Sequence, residues 1–265
     1  MAGEVPELRI IESDCLHFLD AEPEAKYDLI YIDAPFNTGQ RQVSSRDRDL
    51  SYDDAHERLE YLILMSRSLV EAQRILKESG SIYVHLDHHS VFQVKPLMDE
   101  AFGSTNFLNH IVWSYNYGGR GRDRFPRKHD DILFYAKCVG KHFFDWEAID
   151  RVPYKAPELQ YIGRTKEEAE KRIAAGQVPT DVWEMSIVGT NSKERTGYPT
   201  QKPRKLIERA IRASCPKGGL VLDFFAGSGT TGEAALNVGC SVTLVDNNPQ
   251  AIEVMRSRFD NVLGS

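Results

Sequence analysis

A chain of 265 residues, 41% hydrophobic and 27% charged, carries enough apolar material for one domain with a full core and an insertion. No apolar stretch approaches the roughly 20 residues that span a bilayer, and the first residues (MAGEVPELRIIESD) lack a signal-peptide core. The four cysteines, Cys15, Cys138, Cys215 and Cys240, form no CxxC pair, which excludes a zinc ribbon or disulfide framework and predicts a cytoplasmic protein without a metal site.

In chain order, Leu8–Glu12 and Asp28–Ile32 read as strands, and His56–Lys77 as a long amphipathic helix. Ser81–Leu86 follows as a strand, then a helix over Ser90–Phe102, then two strands, Phe107–Trp113 and Ile132–Ala136, expected to be neighbours. The stretch Thr38–Asp54 has little apolar content and is expected to cover a site. From Gly140 to Thr196 the alternation decays around one polar helix, Lys166–Ala175. Regular texture returns with a helix Arg204–Ser214, a strand Leu220–Leu222, a helix Thr231–Asn237, a strand Ser241–Val245 and a helix Pro249–Phe259.

This alternation predicts an α/β fold, a Rossmann-like, mostly parallel sheet with helices on both faces. Two short strings sit where its strands end, the usual place for ligands in such a sheet: DAPFNTG at 33–39 and DFFAGSGTTG at 223–232. The glycine string stands near the C-terminus with only two strands after Gly219, so a strand from the N-terminal half must complete that end of the sheet. The motif order is thus circularly permuted. The expected division is a catalytic half at 1–139, a target-recognition insertion at 140–196 and a cofactor half at 197–265 of the same domain.

Gly227, Gly229 and Gly232 match GxGxxG between a strand and a helix, and Asp246 ends the next strand, placed to accept from ribose hydroxyls. An NAD-dependent oxidoreductase would use the same loop. Asp223 and the Phe224–Phe225 pair disfavour it, because a carboxylate there repels a pyrophosphate but receives an ammonium group, as in S-adenosyl-L-methionine. Asp14 either caps the helix that follows or reaches the adenine edge, if its strand joins the sheet beside Asp246.

At the first string, Asp33 and the carbonyl of Ala34 offer two acceptors to an exocyclic amine, orienting its lone pair toward a sulfonium methyl. Pro35 stiffens the turn and Phe36 offers a face for stacking on a base. A base inside a duplex is out of reach of such a site and must be flipped out. Cytosine C5 chemistry needs a cysteine nucleophile, and only a reversed Cys215-Pro216 pair is present.

These strings, in this order, resemble the DNA amino-methyltransferases that act on adenine N6 or cytosine N4, in the branch whose catalytic motif precedes its cofactor motif. The family's Asp/Ser/Asn-Pro-Pro-Tyr/Phe is matched by Asp33, Ala34, Pro35 and Phe36, and its Phe-x-Gly-x-Gly by Phe225, Gly227 and Gly229. Thr200-Gln201-Lys202-Pro203 matches an element that in the family lines the methionine end of the cofactor. Asp14-Cys15-Leu16 and Lys128-His129-Asp130 match two further elements. With the string residues Asp223, Thr230 and Thr231, and with Asp246, these complete the expected cofactor site. Aspartate at the first position is similar to the adenine-N6 members. Ala34 departs from the family proline: the backbone carbonyl survives, but the ring's restriction is lost, so a less preorganised turn is expected, and with it a weakened or non-catalytic DNA-binding partner as the alternative.

The net charge of −6 hides local basic surface. Arg120, Arg122, Arg124, Arg127 and Lys128 stand against Asp123 alone. Lys193, Arg195, Lys202, Arg204, Lys205, Arg209, Arg212 and Lys217 stand against Glu194 and Glu208. Arg120, Arg122, Arg124 and Lys128 are the expected contacts to double-stranded DNA, with Lys193 and Arg195 as further candidates and Trp183 and Tyr198 beside them near the cofactor mouth. Tyr115, Tyr117 and Phe125, interleaved with the arginines, either face DNA or pack the loop onto the sheet. The resemblance also implies a nucleoid-associated enzyme, and is compatible with a homodimer and a cognate restriction endonuclease.

Overall fold

The structure, a computed structural model, describes residues 5–34, 50–118, 122–154, 163, 165–189, 192, 194–197 and 201–263. Leu8–Glu12 (β1), Tyr27–Asp33 (β2), Leu76–Leu86 (β3), Phe107–Ser114 (β4), His129–Ala136 (β5), Val182–Glu184 (β6), Leu220–Asp223 (β7) and Ser241–Asp246 (β8) form one sheet. Its order is β1-β8-β7-β2-β3-β5-β4-β6. β5 pairs antiparallel with β3 and β4, and every other pairing is parallel.

The central strand explains why both faces are covered. Ile30 and Ile32 point into one layer of core and Leu29 and Tyr31 into the other, all fully buried. Cys15–Ala21 (α1), Leu50–Ile75 (α2) and Val91–Phe102 (α3) supply Leu19, Met65, Leu69, Val94 and Met98 to the first layer. Lys166–Ala175 (α4) buries no residue. Arg204–Ser214 (α5), Thr230–Asn237 (α6) and Pro249–Leu263 (α7) supply Leu206, Ala210, Ala234, Met255 and Phe259 to the second layer.

The chain leaves β2 through α2 toward β3, and leaves β7 through α6 toward β8, in opposite directions across the sheet. Crossovers of one hand running opposite ways put their helices on opposite faces and leave a crevice at the carboxyl ends of the two strands. β1 pairs with β8, so both chain ends complete the sheet as the permuted motif order requires.

Three elements differ from the sequence expectation: α2 runs over Leu50–Ile75 instead of His56–Lys77, beginning inside the 38–54 stretch expected as a cover, and β3 and β6 differ as follows. β3 starts at Leu76, directly after α2, because Tyr27 pairs with Leu76 ahead of a register shift; the intervening Lys77–Gly80 is polar and resembles a loop. β6 lies inside the segment read as irregular. It is three residues long and buries only Trp183, too little for a pattern to register.

Candidate active site

Three neighbouring strands end in carboxylates: Asp33 on β2, Asp223 on β7 and Asp246 on β8. Between the first two lies a narrow cleft lined by Asp33, Lys202, Asp223, Phe225, Gly227 and Thr231, among others. The glycine loop is shaped by its own carboxylates. Asp223 accepts from the Phe225 N–H at 3.0 Å and the Thr231 hydroxyl at 2.6 Å, and Asp246 accepts from the N–H groups of Gly227 at 2.8 Å and Asn248 at 2.9 Å. Gly229, at φ 74°, caps α6 in a left-handed conformation that glycine adopts freely. Gly232 serves close packing, since a Cβ there would lie 2.7 Å from Leu244 Cδ1 and 2.9 Å from Phe259 Cζ.

Burial pushes the Asp223 carboxyl up to about 7, and the charges of Asp33 and Asp246 push the same way against its two hydrogen bonds. Such a group gains from an incoming cation, because the cation stabilises the ionised form that burial penalises.

Asp33 is paired with Lys202, whose Nζ donates to both carboxylate oxygens at 2.8 Å. That lysine's side chain is 7% exposed, whereas Asp33 keeps 26% of its own open to solvent. The Ala34 N–H donates to the His85 carbonyl at 3.2 Å, extending the β2–β3 ladder by one bond. The proline usual at this position in the family has no such donor. The bond ties Ala34 itself to β3; the rest of the turn, where a looser arrangement is expected, lies outside the described residues.

Beneath Asp33 runs a polar chain. His85, fully buried, sits with Nδ1 3.1 Å from the Tyr31 hydroxyl and Nε2 3.1 Å from Asp130 Oδ2, while the Tyr115 hydroxyl donates to Asp130 Oδ1 at 3.0 Å. Burial works to raise the Asp130 carboxyl, but His85, Lys202 and Tyr115 together hold it below the usual range.

The DNA methylase model of the N6/N4 methyltransferase family matches residues 27–257, across both strings and the cleft between them. The chain belongs to that family. The methylase is 33% identical to the Type II methyltransferase M.HpaI of Haemophilus parainfluenzae, over 96% of this chain and 74% of that protein. It is 28% identical to the DNA adenine methyltransferase YhdJ of Escherichia coli (strain K12), over 95% of this chain and 82% of that one. In fold it is similar to the cytosine-N4-specific PvuII DNA methyltransferase, with a TM-score of 0.71 at 18% identity over 96% of this chain and 87% of that one. The methylase is therefore an S-adenosylmethionine-dependent DNA methyltransferase. The donor set fits that cofactor: a carboxyl that gains from an ammonium (Asp223), a strand-end acidic group (Asp246) and a glycine loop between them.

Of the residues expected at its site, the methylase brings Asp33, Gln201, Lys202, Asp223, Phe225, Gly227, Thr230 and Thr231 to the one cleft. Gln201 also braces the preceding segment, donating to the Glu194 carbonyl at 2.6 Å and accepting from the Thr196 N–H at 2.8 Å. The Thr230 hydroxyl lies 3.0 Å from that of Ser228. Asp14 caps α1 through bonds of 3.0 and 3.1 Å from Leu16 and His17, and its strand does lie beside β8, where the Ser13 N–H donates to the Asp246 carbonyl. Cys15 is a core residue whose thiol burial pushes up to about 11.

Arg122, Arg124 and Arg195 are exposed, and Lys128 donates to the carbonyls of Tyr117 and Gly118. Tyr115 is held against the sheet, its ring 4.9 Å from that of Trp113. Trp183 is corrected: it is buried on β6, at the sheet edge opposite β1 and β8, with Arg209 over its ring, and is not at the cofactor mouth. Pro35, Phe36, Arg120, Lys193, Tyr198, Thr200 and most of the 38–54 stretch lie outside the described residues. The sequence reading missed His85 and Tyr31. A lone polar residue in the apolar run Ile82–Leu86, beside a strand ending in Asp33, was the available signal.

Proposed function

We propose that the methylase modifies N6 of adenine, with Asp33 and the Ala34 carbonyl as acceptors for the amine of a base flipped from duplex DNA. One observation carries the transfer to an amine most: Asp33 and Gly227 line the same cleft. S-adenosylmethionine supplies an electrophilic methyl group on a sulfonium. Asp223 would hold the ammonium end of that molecule and Asp246 would receive its hydroxyl groups beside the Gly227 N–H, while Asp33 would take one N–H of the amine and so orient the nitrogen lone pair for transfer. Lys202 donates to both oxygens of Asp33, and each oxygen keeps a further lone pair with which to accept from the amine. The amine's surplus proton leaves by way of the Asp33 carboxylate.

The choice of adenine is supported by aspartate at the head of the DAPF string and by the likeness to YhdJ, a DNA adenine methyltransferase. Residues 140–196 are the target-recognition region, tied to the sheet through β6. A cognate restriction endonuclease as partner and a cytoplasmic, nucleoid-associated role belong to the same proposed reading. Modification sequencing of genomic DNA from an expressing host tests the proposal: N6-methyladenine within one short sequence is expected, and N4-methylcytosine there contradicts it.

A further inference from the structure

The loop joining β4 to β5 rises from the carboxyl edge of the sheet, its two ends on the second and third strands from β2. At the usual spacing of about 4.8 Å per strand, they stand roughly 10 and 14 Å from Asp33. Its neck is closed. The Tyr115 N–H donates to the Lys128 carbonyl at 2.9 Å, and Lys128 Nζ reaches back to the carbonyls of Tyr117 at 2.7 Å and Gly118 at 2.6 Å. Tyr115 anchors the neck to Asp130.

Beyond the neck stand the exposed cations Arg122, Arg124 and Arg127, with Phe125 among them; Arg124 is paired with the exposed Asp123 at 2.6 Å, a surface pair that a phosphate can displace, and Arg127 lies 3.3 Å from His89 Nε2. Phe125 is 95% exposed, so it does not pack the loop onto the sheet. Pro126 follows it and narrows the conformations open to it. An apolar ring left in water on a tethered loop, ringed by cations at the edge of a base-modifying site, matches what inserts between stacked bases while its neighbours hold phosphates.

We propose that Phe125 enters the duplex and fills the stack position vacated by the target base, with Arg122, Arg124 and Arg127 on the flanking phosphates. This rests on the reading that the base leaves the helix. The ring holds the opened state and takes no part in methyl transfer, which makes Phe125 a positioning residue.

The test compares wild type, Phe125→Ala and Phe125→Leu on two duplexes that carry the site read from modified genomic DNA. One is fully paired, and the other has an abasic position opposite the target, which lowers the cost of flipping. On the paired duplex Phe125→Ala is expected to lose roughly tenfold to a hundredfold in kcat/KM, together with the fluorescence rise of 2-aminopurine at the target position. Phe125→Leu should keep most of both, and the abasic duplex should return Phe125→Ala to within about threefold of wild type. Equal loss on both duplexes, or no loss on either, overturns the proposal. A wild-type protein that methylates neither duplex removes the flipped-base reading itself, a failure distinct from a wedge that fails in an active enzyme.

Discussion

Asp223 is a buried carboxyl lifted to about 7, and that has a consequence for ligand binding. In the free protein it carries a proton below that pH, whereas an ammonium partner favours the ionised form, so binding below pH 7 must expel a proton. Cofactor affinity, measured by calorimetry, should therefore weaken about tenfold between pH 8 and pH 6, and Asp223→Asn should flatten the dependence. Asp33 and Asp246 face this carboxyl and raise it, while Thr231 and the Phe225 N–H lower it. Ala34 makes the second residue-scale prediction. Its N–H bond to His85 is lost in Ala34→Pro, which should cost about 1 kcal/mol of stability and give no gain in kcat. A rise of about tenfold or more in single-turnover rate would mean that the alanine turn is under-restrained after all.

Strand ends and the helices behind them decide which of these residues meet. The two strings were legible because each follows a short apolar run, and a strand end in an open sheet is where a ligand site forms. The Lys202–Asp33 pair was not legible: it joins positions 169 apart and depends on where the segment before α5 docks. The extension of β3 was hidden by Lys77–Gly80, whose polar character follows from lying at the sheet's amino edge. At this scale the glycine loop is also a packing device. Gly232→Ala would push a methyl group into Leu244 and Phe259 of β8 and α7, at a cost of about 1–3 kcal/mol in a urea melt. A melt unchanged from wild type would mean that α7 yields freely and the loop is not held by packing.

For the whole molecule, the permuted order is a consequence of the sheet. β1 closes beside β8, so the cofactor half draws on both ends of the chain, and the catalytic string precedes the glycine string while standing beside it in space. The net negative charge is compatible with a DNA substrate because three exposed arginines, Arg122, Arg124 and Arg127, stand close together on the β4–β5 loop at the carboxyl edge of the sheet. In the proposed function Asp33 works on the transferring amine next to a separately held cofactor. Asp33→Ala and the volume-conserving Asp33→Asn, assayed for tritiated methyl transfer to duplex DNA and for cofactor binding, test that directly. Transfer should fall by about a thousandfold or more while cofactor affinity stays within about tenfold. Retained transfer in either variant, or loss of cofactor binding in step with activity in both, would contradict it.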